Sequence, residues 1–286
     1  MINKIISKIS HRVKAFKKHP MTKDEVGSAL YRYLSFNLIQ RVYPKERIYN
    51  FIGGMKFYAQ KGEAGIVANI YYKLFDYEES IFVINNLKEN DLFVDIGANV
   101  GHFSLLAAGM CKANVIAFEP IPQTFEKLNR NVSLNNLSNI IETVNIGIGK
   151  EDAILNFTTN RGVMNSVASG NEAQVIEIQV KKLDDVLKNK FPVFLKIDVE
   201  GYEYFVLQGA SEVLSSKSLK FIIIELNFST SKYGHTNEKI FELLSLHDFV
   251  PIEYDTVTKQ IKILPSYNKN KFNTIFIKKD SIENYA

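Results

Sequence analysis

From about residue 90 onward the chain alternates short β-rich runs with helical patterns, and no other feature limits its fold as strongly. Strands are expected at "LFVDI", "NVIAFE", "IIETVNI", "VFLKID" and "FIIIEL", and helices at "GHFSLLAAGM", "PQTFEKLNRNVSLNN", "YEYFVLQGASEVL" and "NEKIFELLSLHD". Such alternation predicts an α/β fold, a doubly wound parallel sheet with helices on both faces. Residues 149–190 interrupt it with "AILNFTTN" and the alternating "VIEIQV", which predict an added hairpin or edge-strand pair. The closing runs "VPIEY" and "NTIFIKK" should complete the sheet's other edge. Residues 23–90 read mostly as helices, clearest in "DEVGSALYRYLSFNLIQRVY", with breaks at Pro44 and at Gly53 and Gly54. The expected organisation is a basic helix over 1–22, a helical cap over 23–90 and the main α/β domain over 91–286.

Composition removes several functions. The net charge of +4 sits unevenly: the first twenty residues hold six Lys/Arg and no acid, leaving the remainder slightly acidic. A body of that sign is a poor grip for a nucleic-acid backbone, so no nucleic-acid partner is expected. The apolar runs fall far short of a membrane span, and lysines interrupt the N-terminus where a signal peptide would be apolar. The lone Cys111 cannot form an intrachain disulfide. A cytoplasmic protein is expected. Ile2, Ile5, Ile6, Ile9, Val13 and Phe16 recur at helical spacing, with lysines mostly off that stripe. A basic amphipathic helix of this kind can lie peripherally on an anionic inner membrane surface, or dock on its own domain.

The stretch "DLFVDIGANVGHFSLLAAG" over 91–109 places Gly97 and Gly101 at the bend after the first strand, where such folds bind ligands. A dinucleotide loop would read G-x-G-x-x-G and lay a pyrophosphate on the helix N-terminus. Here Asn99 stands at the middle glycine, Ser104 at the third, and Asp95 at the mouth. That carboxylate would repel a pyrophosphate and suit a cation, which favours S-adenosylmethionine, with its sulfonium and ammonium groups, over a nicotinamide. Glu119, ending the next strand in "AFEP", is placed to accept ribose hydroxyls in either case. A nicotinamide-dependent oxidoreductase and a non-catalytic binding module on the same fold are the rival readings.

The blocks "FVDIGANVGHFSLLAA", "VIAFEPIPQTFEKLNRNVSLNNL" and above all "LKIDVEGYEYFVLQGA" resemble the FkbM family of S-adenosylmethionine-dependent methyltransferases, over about residues 77–227. The resemblance implies a class I, Rossmann-like methyltransferase fold, a seven-stranded sheet with one antiparallel strand. It also implies transfer of a methyl group to an oxygen, often a sugar or polyketide hydroxyl. Asp95, Gly97, Asn99, Gly101 and Glu119 would line the cofactor site by matched position, with His102 at the helix start beside them. Tyr77 and Glu78 match the family's Tyr-Glu and would close over the cofactor. After the third strand the family often reads "nvAlgD", whereas this chain has "VNIGIGK". Asn145 is the candidate on that adenine side, with Gly147 and Lys150 as departures.

Methyl transfer is a direct displacement, so holding oxygen, carbon and sulfur in line is the main contribution, worth about 7–11 kcal/mol. A carboxylate near the acceptor hydroxyl adds proton removal. Asp198 and Glu200 follow the fourth strand and are the leading candidates, Asp198 for the cofactor's methionine end or the acceptor and Glu200 for the proton. Glu225 ends the fifth strand. With Asn227 and Asp198 it could form an oxygen-rich metal site, but no spacing demands one and none is expected. Glu203 reads as a solvated or capping acid, His235 as a surface histidine, and Met164, Asn165 and Ser166 as a border of the acceptor site. The expected enzyme is an S-adenosylmethionine-dependent O-methyltransferase acting on a hydroxyl of a saccharide or glycoconjugate precursor, with an amine or a small natural product as the nearest alternative acceptor.

Overall fold

A computed structural model describes residues 2–158, 166–168 and 174–285 of the chain. These divide into two compact units, Met1–Ser80 and Ile81–Ala286.

The first unit contains α1 (Ile2–Lys18), α2 (Val26–Val42), β1 (Arg47–Asn50), β2 (Lys56–Ala59), α3 (Ala64–Tyr72) and the start of α4 (Tyr77–Asn86). The expected helical cap thus also contains an antiparallel hairpin, Arg47 opposite Ala59. The turn was legible at Gly53 and Gly54, both at positive φ. Its flanks "RIYN" and "KFYA" were not, being too short to show a period. The described apolar stripe of α1 turns inward: Phe16 is fully buried against Tyr33, Tyr71 and Tyr72, and the Arg12 guanidinium lies over the rings of Tyr33 and Tyr71. The side chains of residues 2–6 lie outside the described residues.

The second unit opens with β3 (Leu92–Ile96), α5 (His102–Cys111), β4 (Asn114–Phe118), α6 (Pro122–Leu134) and β5 (Ile141–Val144). The inserted region gives β6 (Gly147–Gly149), β7 (Ala153–Thr158) and β8 (Val175–Lys182), followed by α7 (Leu183–Val186). Then come β9 (Phe194–Ile197), α8 (Glu203–Gln208), α9 (Ser211–Ser215), β10 (Phe221–Glu225), α10 (Asn237–Leu246), β11 (Phe249–Tyr254), β12 (Ile261–Ile263) and β13 (Asn273–Lys278). The main sheet has eight strands in the order β12-β11-β13-β10-β9-β3-β4-β5. Strands β5, β4, β3, β9 and β10 are parallel, and β13 runs antiparallel to both β10 and β11. This is the class I methyltransferase sheet with β12 added at one edge. The insertion forms a separate three-stranded sheet, β6-β8-β7, rather than an edge of the main one. The single helix expected at "YEYFVLQGASEVL" is two, α8 and α9, parted at Gly209. A Cβ there would stand 2.0 Å from the Gly149 carbonyl oxygen, so the backbones meet where a side chain has no room. Among the described residues no helix is long and apolar enough to cross a membrane.

Strand register sorts the sheet's two faces. Val94, Ile96, Leu195, Ile197, Ile222 and Ile224 point into one apolar core. On the other face Phe93, Phe194 and Phe221 lie side by side, with Phe82 packed edge-on against the latter two. Because side chains alternate at period two, that same face carries Asp95, Lys196 and Glu225 at the carboxyl ends of β3, β9 and β10.

Candidate functional site

The loop after β3 bends over the sheet because its backbone crosses to the neighbouring strand: the Gly97 and Ala98 N–H groups donate to the Phe118 carbonyl at 3.0 and 2.9 Å. Gly97, Asn99 and Gly101 all have positive φ. At Gly97 this is compulsory in a second way, since a Cβ would lie 1.9 Å from the Asp198 carbonyl oxygen. The first loop is thereby pressed directly on the exit of β9.

Glu119 is buried beside this loop. Its two carboxylate oxygens accept from Asn99 N–H at 3.0 Å and Ile121 N–H at 2.9 Å. Burial pushes its carboxyl up to about 7, against those backbone donors. Each oxygen retains a further lone-pair direction, and Asn99 Oδ1 next to it is buried with no partner. The unpartnered Asn99 oxygen and the spare lone pairs of Glu119, beside a loop whose backbone can approach closely, fit the hydroxyl-bearing ribose of an adenosine ligand. Asn145 Nδ2 donates to the Glu119 and Pro120 carbonyls at 2.8 and 2.9 Å, so it clamps the rim after β4.

Asp95 requires a correction. Its side chain does not stand at the mouth of the loop: it is 2% exposed, and Oδ2 accepts from the Ser104 hydroxyl at 2.6 Å. Burial pushes this carboxyl up to about 6, opposed by Ser104 and Lys196. Asp95 thus fastens the first turn of α5 beneath the loop. The open carboxylate is Asp198, whose side chain retains 37% exposure. His102 opens α5, edge-on to Phe103. Burial and the charge of Lys196 lower its imidazole to about 3, so it is neutral and no proton carrier at ordinary pH.

The second loop, after β9, presents the acids. Glu200 has positive φ (54°), a strained setting for a residue with a Cβ. Gly201 follows at φ 103°, where a Cβ would stand 2.4 Å from the Ser229 carbonyl oxygen. The turn is stitched from beneath by Glu203, which is buried rather than solvated: its Oε1 accepts from Val199 and Gly201 N–H, each at 3.1 Å. Asp198, Glu200 and Glu225 each offer an oxygen within 4.8 Å of the others. Burial first and then Asp198 push Glu200 up to about 7, against Lys232 and Lys196. Burial, with Asp198, Glu200 and Glu203 around it, holds Glu225 well above the usual carboxylate range, and its Oε2 is buried without a partner. Packed this closely, the cluster retains a proton near neutrality.

Lys196 is the residue that sequence reasoning undervalued. It is 1% exposed, and its ammonium donates to Asp198 Oδ2 at 3.0 Å and to Asn273 Oδ1 at 3.4 Å. Burial pulls its pKa down, but Asp198, Glu225 and Asp95 override this and hold it above the ordinary lysine value. It pairs with Asp198 and not with Glu200. The signal was present, because a lysine inside the apolar run "VFLKID" has no reason to be in a sheet core unless an acid meets it. Lys232 was also missed: its Nζ donates to Ser166 Oγ at 2.7 Å and to the Val167 carbonyl at 3.1 Å.

A divalent cation could bridge the three acids. The Asn227 oxygen, however, is committed to Ser229 N–H at 2.6 Å, capping the 3-10 turn Phe228–Tyr233. His235 stacks on Tyr204 with ring centroids 4.1 Å apart, a packing role rather than a free surface histidine. Met164 and Asn165 lie outside the described residues. Tyr77 and Glu78 belong to the first unit, in the first turn of α4.

The methyltransferase FkbM domain model matches residues 95–251. The chain is 28% identical to methyltransferase sdnD of Sordaria araneosa, over 50% of this chain and 68% of that protein. It is 32% identical to methyltransferase 1 of Beauveria bassiana, over 43% and 60%. It is 26% identical to the hexuronic acid methyltransferase AglP of Haloferax volcanii, over 51% and 59%. The chain therefore spans less than two thirds of the latter two. Among solved structures, the precorrin-6y C5,15-methyltransferase of Geobacter metallireducens overlays with a TM-score of 0.39 at 14% identity, covering 70% of this chain and 85% of that one. With the family's domain matched across more than half its length, the chain belongs to the FkbM methyltransferases.

Proposed function

We propose that the chain is an S-adenosylmethionine-dependent O-methyltransferase whose acceptor is a hydroxyl of a saccharide or glycoconjugate precursor. The observation that carries this reading is the triad of Asp198, Glu200 and Glu225, set at the end of the strands beside the glycine loop. When bound, the cofactor supplies an electrophilic methyl carbon on a sulfonium sulfur. Glu119 and Asn99 hold its ribose hydroxyls, and the Gly97–Gly101 backbone comes close to it. Asp198, open and anchored by Lys196, receives its positive charge. Glu200, whose pKa of about 7 lets it shed or hold a proton at neutral pH, accepts the acceptor's hydroxyl proton at a carboxylate oxygen. Glu225 keeps its own proton, so the pocket does not accumulate a third negative charge. Proton acceptance of this kind contributes roughly 10²–10⁴-fold, in addition to alignment.

The similarity to a protein named a hexuronic acid methyltransferase supports a saccharide acceptor. Incubation with methyl-tritiated S-adenosylmethionine and uronic-acid-bearing oligosaccharides, neutral sugars and amines tests the reading. Base-stable label on a sugar, as in a methyl ether, is expected. Base-labile label would place the methyl on a carboxylate, and label on amines alone would remove the hydroxyl acceptor.

A further inference from the structure

The first unit carries a second feature that transfer chemistry does not use. Helix α2 buries Ala29, Phe36 and Gln40 on one side and turns Tyr31, Leu34, Leu38 and Val42 outward on the other. Spacings of three, four and four residues put these in one row along three turns. Tyr31 is 72% and Leu38 64% exposed, Ile39 beside the row is exposed as well, and so are Tyr43 and Ile48 after the helix end. Arg41 lies on the same outward face, and Lys45 and Arg47 follow directly, all exposed. The charge of the whole unit agrees: it holds fourteen Lys/Arg against seven Asp/Glu, while the remainder of the chain is net acidic.

We propose that the outward face of α2 docks on an anionic lipid bilayer, the helix lying in the interface with its apolar row among the headgroups. Charge complementarity selects this occupant. A second copy would bring an equally basic unit against the first, so that like charges would face each other. A bilayer needs no matching knobs, accepts an apolar helix face flanked by cations, and favours tyrosine at its polar boundary. The helix involved is α2 and not α1, whose described apolar residues Val13 and Phe16 are buried or half-buried.

Vesicle co-sedimentation of the full chain tests this, with phosphatidylcholine alone and with phosphatidylcholine containing phosphatidylglycerol. Binding to the anionic vesicles only, weakening with added salt, is expected. The double variant Leu34→Ser/Leu38→Ser should weaken it at least about tenfold, and Arg41→Glu/Lys45→Glu comparably. All four sites are exposed, and an unchanged melting temperature confirms that the fold is intact. Absence of binding by the wild-type chain, or binding that survives the α2 variants and is lost in Lys14→Glu/Lys18→Glu, both exposed on α1, would overturn the proposal. So would sedimentation equilibrium showing a dimer that Leu34→Ser/Leu38→Ser dissociates.

Discussion

The two loops that meet at the sheet's centre are built alike and furnished differently. Both the Gly97–Gly101 turn and the Asp198–Gly201 turn rely on positive φ, and each includes a glycine whose Cβ would collide with backbone across the gap. Under the first loop the acid is withdrawn: Asp95 is buried on Ser104, leaving amide and backbone groups plus the buried Glu119. On the second, two acids are brought forward to meet Glu225 at the end of β10, so that three carboxylates share one space, with Lys196 anchoring Asp198. The difference separates holding a ligand from moving a proton. A loop for close backbone approach is best without its own charge, whereas a proton acceptor working at neutral pH needs crowded carboxylates.

The largest expected effect comes from Gly97→Ala, where the loops touch. A Cβ 1.9 Å from the Asp198 carbonyl, at φ 81°, must drive the strand exits apart. It should cost about 2–5 kcal/mol of stability and abolish cofactor binding, as thermal unfolding and calorimetry would show. Retained binding would mean that the contact does not set the site. Next, Glu200→Gln should lower kcat about 10²–10⁴-fold while cofactor affinity holds. Because Glu200 must be ionised to accept a proton, wild-type kcat should rise with pH through about 7, and the variant should lose that limb.

A smaller effect is expected below the second loop. Burial raises Glu203 to about 7 in the folded protein from an ordinary 4.5. The native state therefore holds a proton that the unfolded chain releases between those values. Stability should fall as pH rises from 4.5 to 7, and the loss is complete above 7. Glu203→Gln removes that charge while its amide oxygen can still accept from the turn. It should remove one group's share of this dependence, to which the other buried acids also contribute, and stabilise the protein at pH 8 by on the order of 3 kcal/mol, as urea titrations at several pH values would show. The smallest effect is none: dialysis against chelator should leave activity unchanged. A loss restored by magnesium would reassign the acid triad to a cation.

Much of the second unit was legible in the chain. The strands "LFVDI", "NVIAFE", "VFLKID" and "FIIIEL" are apolar runs of strand length bounded by Gly, Pro or acid, and all four lie where they were read. The two loops were legible because glycines there serve backbone geometry alone. What sequence does not carry is the face. Asp95 at a strand end looks open until the register places it among Phe93, Ser104 and Lys196, and Glu203 reads as solvated or capping until two backbone N–H groups make it a buried cap. The acid triad likewise depends on β10 lying beside β9, which single-strand patterns do not state. In the first unit the β1–β2 hairpin escaped because four-residue strands show too little alternation.

The most direct test of the division between the loops is calorimetric titration with S-adenosylmethionine and S-adenosylhomocysteine, with NADH as control, of the wild-type chain, Glu119→Ala and Glu200→Gln. The wild type should bind both adenosine ligands and not NADH, Glu119→Ala should weaken binding at least tenfold, and Glu200→Gln should leave it within about twofold, since only the ribose contact is lost in the first. Binding of NADH, or affinity lost in Glu200→Gln and kept in Glu119→Ala, would contradict that division.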